Sequence, residues 1–199
     1  MQGERIELVN RKISSLISNL RKDPCTLDTV YICVASYDMD IKTCLPLTEL
    51  TSKFDLPVME AKPSTPSMLG NALFFLDSLF EKTIKMPTAE KKGDYPPALY
   101  ILTGGKPSDG ASAHDAMAQI LSKRKMTLCL GLTSSTLVPF YKNLFDFNIP
   151  TGSIVITDLN LPNNGCWIDI WRSMNTLACT SVSTSTLLPC PPEKIQINF

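Results

Sequence analysis

Residues 98–109 read Ala98-Leu99-Tyr100-Ile101-Leu102-Thr103-Gly104-Gly105-Lys106-Pro107-Ser108-Asp109, and the architecture follows from what this segment can form. The first six are an apolar run of strand length, as expected for a strand buried on both faces. The glycine pair and Pro107 then make a turn. Ser108 or Asp109 can cap a helix that carries Ala113, Met117, Ile120 and Leu121 at helical spacing. That helix ends in Lys123-Arg124-Lys125, where positive charge suits the negative end of the helix dipole. Met126 to Leu132, MTLCLGL, follows as another buried strand.

The same alternation extends in both directions. Upstream, Thr65-Pro66 predicts a helix start, with threonine as cap and proline in the first turn. Leu69, Leu73, Leu76, Leu79 and Phe80 give that helix an apolar stripe reaching to about Lys85. Thr29 to Tyr37, TVYICVASY, reads as a strand buried on both faces. Asp38-Met39-Asp40 turns the chain into an alternating run, Ile41 to Leu47, whose Pro46 marks an edge strand. The two predict an antiparallel hairpin. A first helix places Ile6, Val9, Ile13, Leu16, Ile17 and Leu20 on one face. It ends before Asp23-Pro24, because the residue before a proline avoids the helical region. Downstream come a short helix near Leu137 to Phe145, a strand Ser153 to Thr157, and a helix about Trp167 to Thr180.

The expected fold class is α/β. Buried strands alternating with amphipathic helices imply a doubly wound, mostly parallel sheet flanked by helices, with one antiparallel edge strand. Residues 1–182 would form this domain. Residues 183–199 are a Ser/Thr/Pro-rich tail that ends in a strand-like Lys194 to Phe199. Ligands of such folds gather beyond the carboxyl ends of the strands, here the loops 38–40, 104–109 and 133–136.

Bulk properties narrow the functions. Nineteen basic residues balance nineteen acidic ones among 199, so the surface gives no general pull toward nucleic acid or anionic lipid. Mean hydropathy is +0.05, and no apolar stretch reaches membrane-spanning length. The start, MQGERIELVNRK, has no apolar core of a signal peptide. Seven cysteines form no C-x-x-C pair and no zinc spacing, which fits reduced, structural thiols in a cytoplasmic protein.

Three stretches together resemble the von Willebrand factor A fold, and more narrowly its TerY-like branch from tellurite-resistance clusters. The first is Gly3-Glu4-Arg5-Ile6 through Asn10, then Asp23-Pro24 and TVYICVASYD. The second is Ser64-Thr65-Pro66-Ser67-Met68-Leu69-Gly70-Asn71-Ala72-Leu73. The third is Tyr100 through Asp109, and the SVSTST run near the end matches too. The order and spacing cover most of the domain.

That resemblance implies a metal-ion-dependent adhesion site, in which oxygens cage a magnesium ion at the carboxyl edge of the sheet. The family supplies them from an Asp-x-Ser-x-Ser motif after the first strand, a threonine before a helix and an aspartate after a later strand. Thr65 matches the threonine. Gly104 stands where the aspartate should be. The Asp-x-Ser-x-Ser motif is absent, and Met1 aligns with a residue that commonly follows it. Asp38, Asp40 and Asp109 are further oxygens expected at this edge, although loop-tip aspartates are more often caps or solvated turn residues. Magnesium takes about six oxygens, so no resident metal or other cofactor is expected unless a further segment or a partner supplies ligands.

The resemblance also implies a missing central strand, with buried strands left unpaired on either side of it. Three fillings stay open: a natural start upstream of Met1, a strand from a neighbouring chain, or Lys194 to Phe199. Self-association through the exposed sheet edge belongs to the same expectation.

Sharper chemical readings are weaker than bland ones. Gly104 to Ser108 lacks the spacing of a phosphate loop and reads as a plain turn. His114, the lone histidine, falls near a helix start without a nucleophile and reads as a surface residue. Ser36, Ser64 and Ser67 lack a nucleophile-elbow context. Trp167 and Trp171 share a helical face, as core residues do. The leading expectation is a non-enzymatic protein-interaction module with a protein partner, tied to tellurite resistance or stress. The alternative is a Rossmann-like small-ligand or nucleotide-dependent enzyme, for which no glycine-rich fingerprint is visible.

Overall fold

The computed structural model describes residues 3–22, 24–27, 29–61, 66–86, 88–90, 93–94, 96–124, 126–146 and 152–158, with backbone alone at 24–25 and 152–158. The elements are α1 (Glu4–Leu20), α2 (Pro24–Leu27), β1 (Tyr31–Tyr37), β2 (Ile41–Glu49), α3 (Leu69–Thr83), β3 (Ala98–Thr103), α4 (Gly110–Lys123), β4 (Met126–Leu132), α5 (Val138–Leu144) and β5 (Gly152–Asp158). A 3-10 turn, Ser135–Leu137, leads into α5. The chain is α/β. The expected helix 167–180, the strand 194–199 and the tail lie outside the described residues.

The described strands form two sheets. One is parallel, in the order β3-β4-β5, with Ala98 opposite Thr127 and Met126 opposite Gly152. Its central strand β4 is buried along almost its whole length. That is why MTLCLGL is apolar without alternation: both of its faces meet side chains. The other sheet is the antiparallel hairpin β1-β2, with Tyr37 opposite Ile41 and Tyr31 opposite Glu49. Its register shifts between Ile32 and Val34 and again between Val34 and Ala35.

The apolar surface is buried in layers. α3, α4 and α5 cover one face of the parallel sheet. Leu69, Leu73, Met117, Ile120 and Tyr141 pack there with Leu99, Ile101, Leu128 and Leu130. α1 lies elsewhere and touches both sheets. Its Val9, Ile13 and Leu16 pack with Tyr100 and Leu102 of β3. Its Ile17 and Leu20, with Ile13 and Leu16 again, pack with Val30, Ile32, Leu45, Leu50 and Phe54. The side-chain amide of Asn10 grips the loop beyond β2. It donates to the carbonyl of Met59 and accepts from its N–H, both at 2.9 Å, much as a neighbouring strand would.

Three expectations need correction. α3 starts at Leu69 with Met68 at the cap position, so Pro66 lies before the helix rather than in its first turn. β1 is half-buried, and Tyr31 is exposed. An apolar run of strand length does not distinguish a two-sided burial from a one-sided one, which neighbours decide. The basic end of α4 does more than offset a dipole. Lys123 Nζ lies 2.6 Å from Asp77 Oδ2 and 2.8 Å from Glu81, and Arg124 reaches Asp77 Oδ1 at 3.0 Å. Asp77 is only 5% exposed. Arg124 also lies over the Phe80 ring, 5.2 Å from its centroid, so this network ties the C-terminal halves of α3 and α4 together.

Candidate functional site

The loops after β1, β3 and β4 meet the starts of α3 and α4 at one edge. Backbone bonds stitch them together. Met68 N–H donates to the Asp38 carbonyl at 2.9 Å, Ser108 N–H to the Ser67 carbonyl at 2.8 Å, and Thr133 N–H to the Thr103 carbonyl at 3.1 Å. Under them lies a layer of hydroxyls. Burial pushes the Tyr37 pKa above the ordinary value, with the side chains of Thr103 and Ser67 beside its hydroxyl holding it back in part. Tyr141 donates to the Gly105 carbonyl at 2.7 Å, and burial raises its pKa too. Both phenols therefore stay neutral hydrogen-bonding groups at ordinary pH.

The expected site residues fare differently. Asp38 caps its own turn: its Oδ1 accepts from Asp40 N–H at 2.9 Å, and its N–H donates to the Asp40 carbonyl at 3.0 Å. Asp40 is exposed at the tip. Gly104 sits half-buried just beyond β3 and brings no side-chain oxygen. Gly104 to Asp109 connects β3 to α4 as a strand-to-helix turn. Thr65 lies outside the described residues.

Asp109 departs furthest from its expected part. It occupies the cap position of α4, yet its carboxylate bonds no N–H of that helix. Oδ2 instead accepts from Asn71 N–H at 3.2 Å, in the first turn of α3, where a negative charge meets the positive end of the helix. Oδ1 is buried with no hydrogen-bond partner. Gly70 makes this approach possible. A Cβ there would stand 2.7 Å from Ser112 Cβ, 2.8 Å from Ala113 N and 2.8 Å from Asp109 Oδ2. In the sequence Gly70 stands out only within a resemblance; its close approach to α4 is invisible there because Ser112 lies 42 residues further along the chain.

The carboxylates that the described residues bring to this edge fall short of the six or so oxygens magnesium takes. Two carboxylates come from Asp38 and Asp109, and each already accepts a backbone N–H. Among the described residues no group of three His, Cys, Asp or Glu could hold a metal. His114 is half-buried on α4, 3.4 Å from the exposed Asp115. No helix among the described residues is long and apolar enough to cross a membrane. No family model, no curated protein and no solved structure matches the chain.

Proposed function

We propose that this chain is a non-enzymatic protein-interaction module of the von Willebrand factor A type, close to the TerY-like branch, acting in the cytoplasm without a resident metal. The observation that carries the reading is the mutual bonding of the loops at the carboxyl edge. Asp38 bonds within its own turn, Asp109 Oδ2 holds the start of α3, and Tyr141 holds the Gly105 carbonyl. A general base or nucleophile must instead present its group to a substrate. Rigid loops on a packed scaffold suit recognition of a surface. Met39, Asp40, Lys106 and Ser108 stand at least partly exposed on these loops, and Lys106 is steadied over the Phe140 ring at 4.9 Å. The link to tellurite resistance or stress rests on the sequence resemblance alone.

The test is cross-linking of the purified chain to cell extract, with sites mapped by mass spectrometry. Cross-links should gather on loops 38–40 and 104–109, survive chelation of magnesium, and fall in a Met39→Asp plus Lys106→Glu variant that melts like the parent. Loss of the cross-links on chelation would overturn the metal-free reading. Strong thermal stabilisation by a nucleotide would overturn the non-enzymatic one.

A further inference from the structure

We infer that α1 and the hairpin form a seat for an extended segment of a partner polypeptide, one with an aromatic and a leucine-type side chain two residues apart. Residues 54–59 occupy that seat as a displaceable strap. This goes beyond the loops at the carboxyl edge and does not rest on them. The strap follows β2, and the chain forms no helix, strand or turn over 54–61. Two side chains grip its backbone. The Arg21 guanidinium, just past the end of α1, donates to the Phe54 carbonyl. The Asn10 amide holds both the N–H and the carbonyl of Met59 at 2.9 Å. Eleven residues separate Asn10 from Arg21, a helical rise of about 16 Å. The five steps from Phe54 to Met59 cover about 16 Å only when the chain is extended. The strap therefore runs extended along α1, antiparallel to it.

Most of what holds the strap is indifferent to its sequence. Both grips act on main-chain groups, which other extended segments offer as well. Side-chain recognition is confined to two residues. Phe54 is buried, with the Arg21 guanidinium 5.9 Å from its ring centroid. Leu56 joins it in one apolar cluster with Ile13, Leu16, Ile17 and Leu20 of the α1 helix. Asp55, Val58 and Glu60 stand exposed, Val58 at 78%.

Two observations mark the strap as separable from the seat. No hydrogen bond among the described residues reaches 55–58, so the strap is tied at its ends and by its apolar side chains. The seat also keeps a donor that its occupant does not use, since Arg21 Nε is buried without a partner. A partner segment that turns a carbonyl or carboxylate toward Nε gains a charge-assisted bond that the strap lacks. The strap has the advantage of attachment, which acts like a competitor at a concentration on the order of a millimolar. A free peptide therefore binds well only once the strap is loosened.

Hydrogen exchange and peptide binding on the full chain test this. In the parent, 55–58 should exchange about tenfold or more faster than 31–37. Equal rates would show that the strap opens only with the hairpin, and would overturn the inference without any variant. Met59→Pro deletes the N–H that Asn10 accepts. It should quicken exchange in 55–58 by about tenfold and leave 126–132 unchanged. The probe is a fluorescein-labelled peptide of residues 51–60, TSKFDLPVME. It should bind the Met59→Pro variant about tenfold or more tighter than the parent. The gain should vanish when Asn10→Ala is added, and again when the peptide's phenylalanine and leucine become serine. No binding to the loosened chain overturns the seat. Binding that survives either change overturns its stated chemistry. Quickened exchange in 126–132 makes the strap part of the core and overturns its release.

Discussion

The parallel sheet and the hairpin are built from similar apolar runs and end in different states. β4 lies between two strands and beneath three helices, and Leu128, Leu130 and Leu132 are fully buried. Among the described residues β1 has one strand beside it and one helix packed on it, and none of its residues is fully buried. Apolar composition thus sets what a strand can tolerate, and the number of neighbours sets what it receives. The parallel half is packed on one face by α3, α4 and α5. The hairpin half is held by α1, by Asn10 and by the loop bonds at the carboxyl edge.

The largest effect should come from breaking the parallel half at its ionic tie. Arg124→Ala leaves Asp77 buried with one cation fewer, and loss of a buried partner costs about 3–5 kcal/mol. Urea unfolding would measure it. A loss below about 1 kcal/mol, the worth of an ordinary exposed pair, would mean that Lys123 and Gln119 hold Asp77 without it. The contrast between the halves is tested directly by setting Leu130→Ala against Leu47→Ala. The first empties a fully buried site in the parallel sheet and should cost about 2–5 kcal/mol. The second truncates a side chain that is 45% exposed on the hairpin and should change stability by less than about 0.5 kcal/mol. Equal losses would erase the difference between the halves.

Gly70→Ala comes next. Its Cβ would meet the backbone nitrogen of Ala113 at 2.8 Å, so α3 must move off α4, at a cost of about 1–3 kcal/mol. Exchange at Asn71 N–H, which Asp109 holds, should quicken in the same variant. Unchanged exchange there would separate the helix contact from the carboxyl edge.

The smallest effect is on pH. Tyr37 and Tyr141 both have pKa values raised by burial above the ordinary 10.0. The folded state therefore keeps protons that the unfolded chain releases, so their contribution is full below about pH 10 and is lost as pH rises beyond it. The melting temperature should fall above that pH. Tyr141→Phe should flatten the fall, with the parent's slope retained in the variant as the outcome that rules Tyr141 out.

The order of residues was enough for the α/β class, the strands Ala98–Thr103 and Met126–Leu132, and the hairpin with its Pro46 edge. Those are local matters, set by apolar period, turn residues and proline. Asp38 as a turn cap was legible for the same reason, since its partner is two residues away. Three features emerged only on folding: Asp109 serves the helix before it rather than its own, Gly70 is the point where α3 meets α4, and Asp77 anchors the basic end of α4. Each of those depends on groups about forty residues apart. The division of the strands into two sheets belongs with them, because it turns on pairing between strands far apart in the sequence.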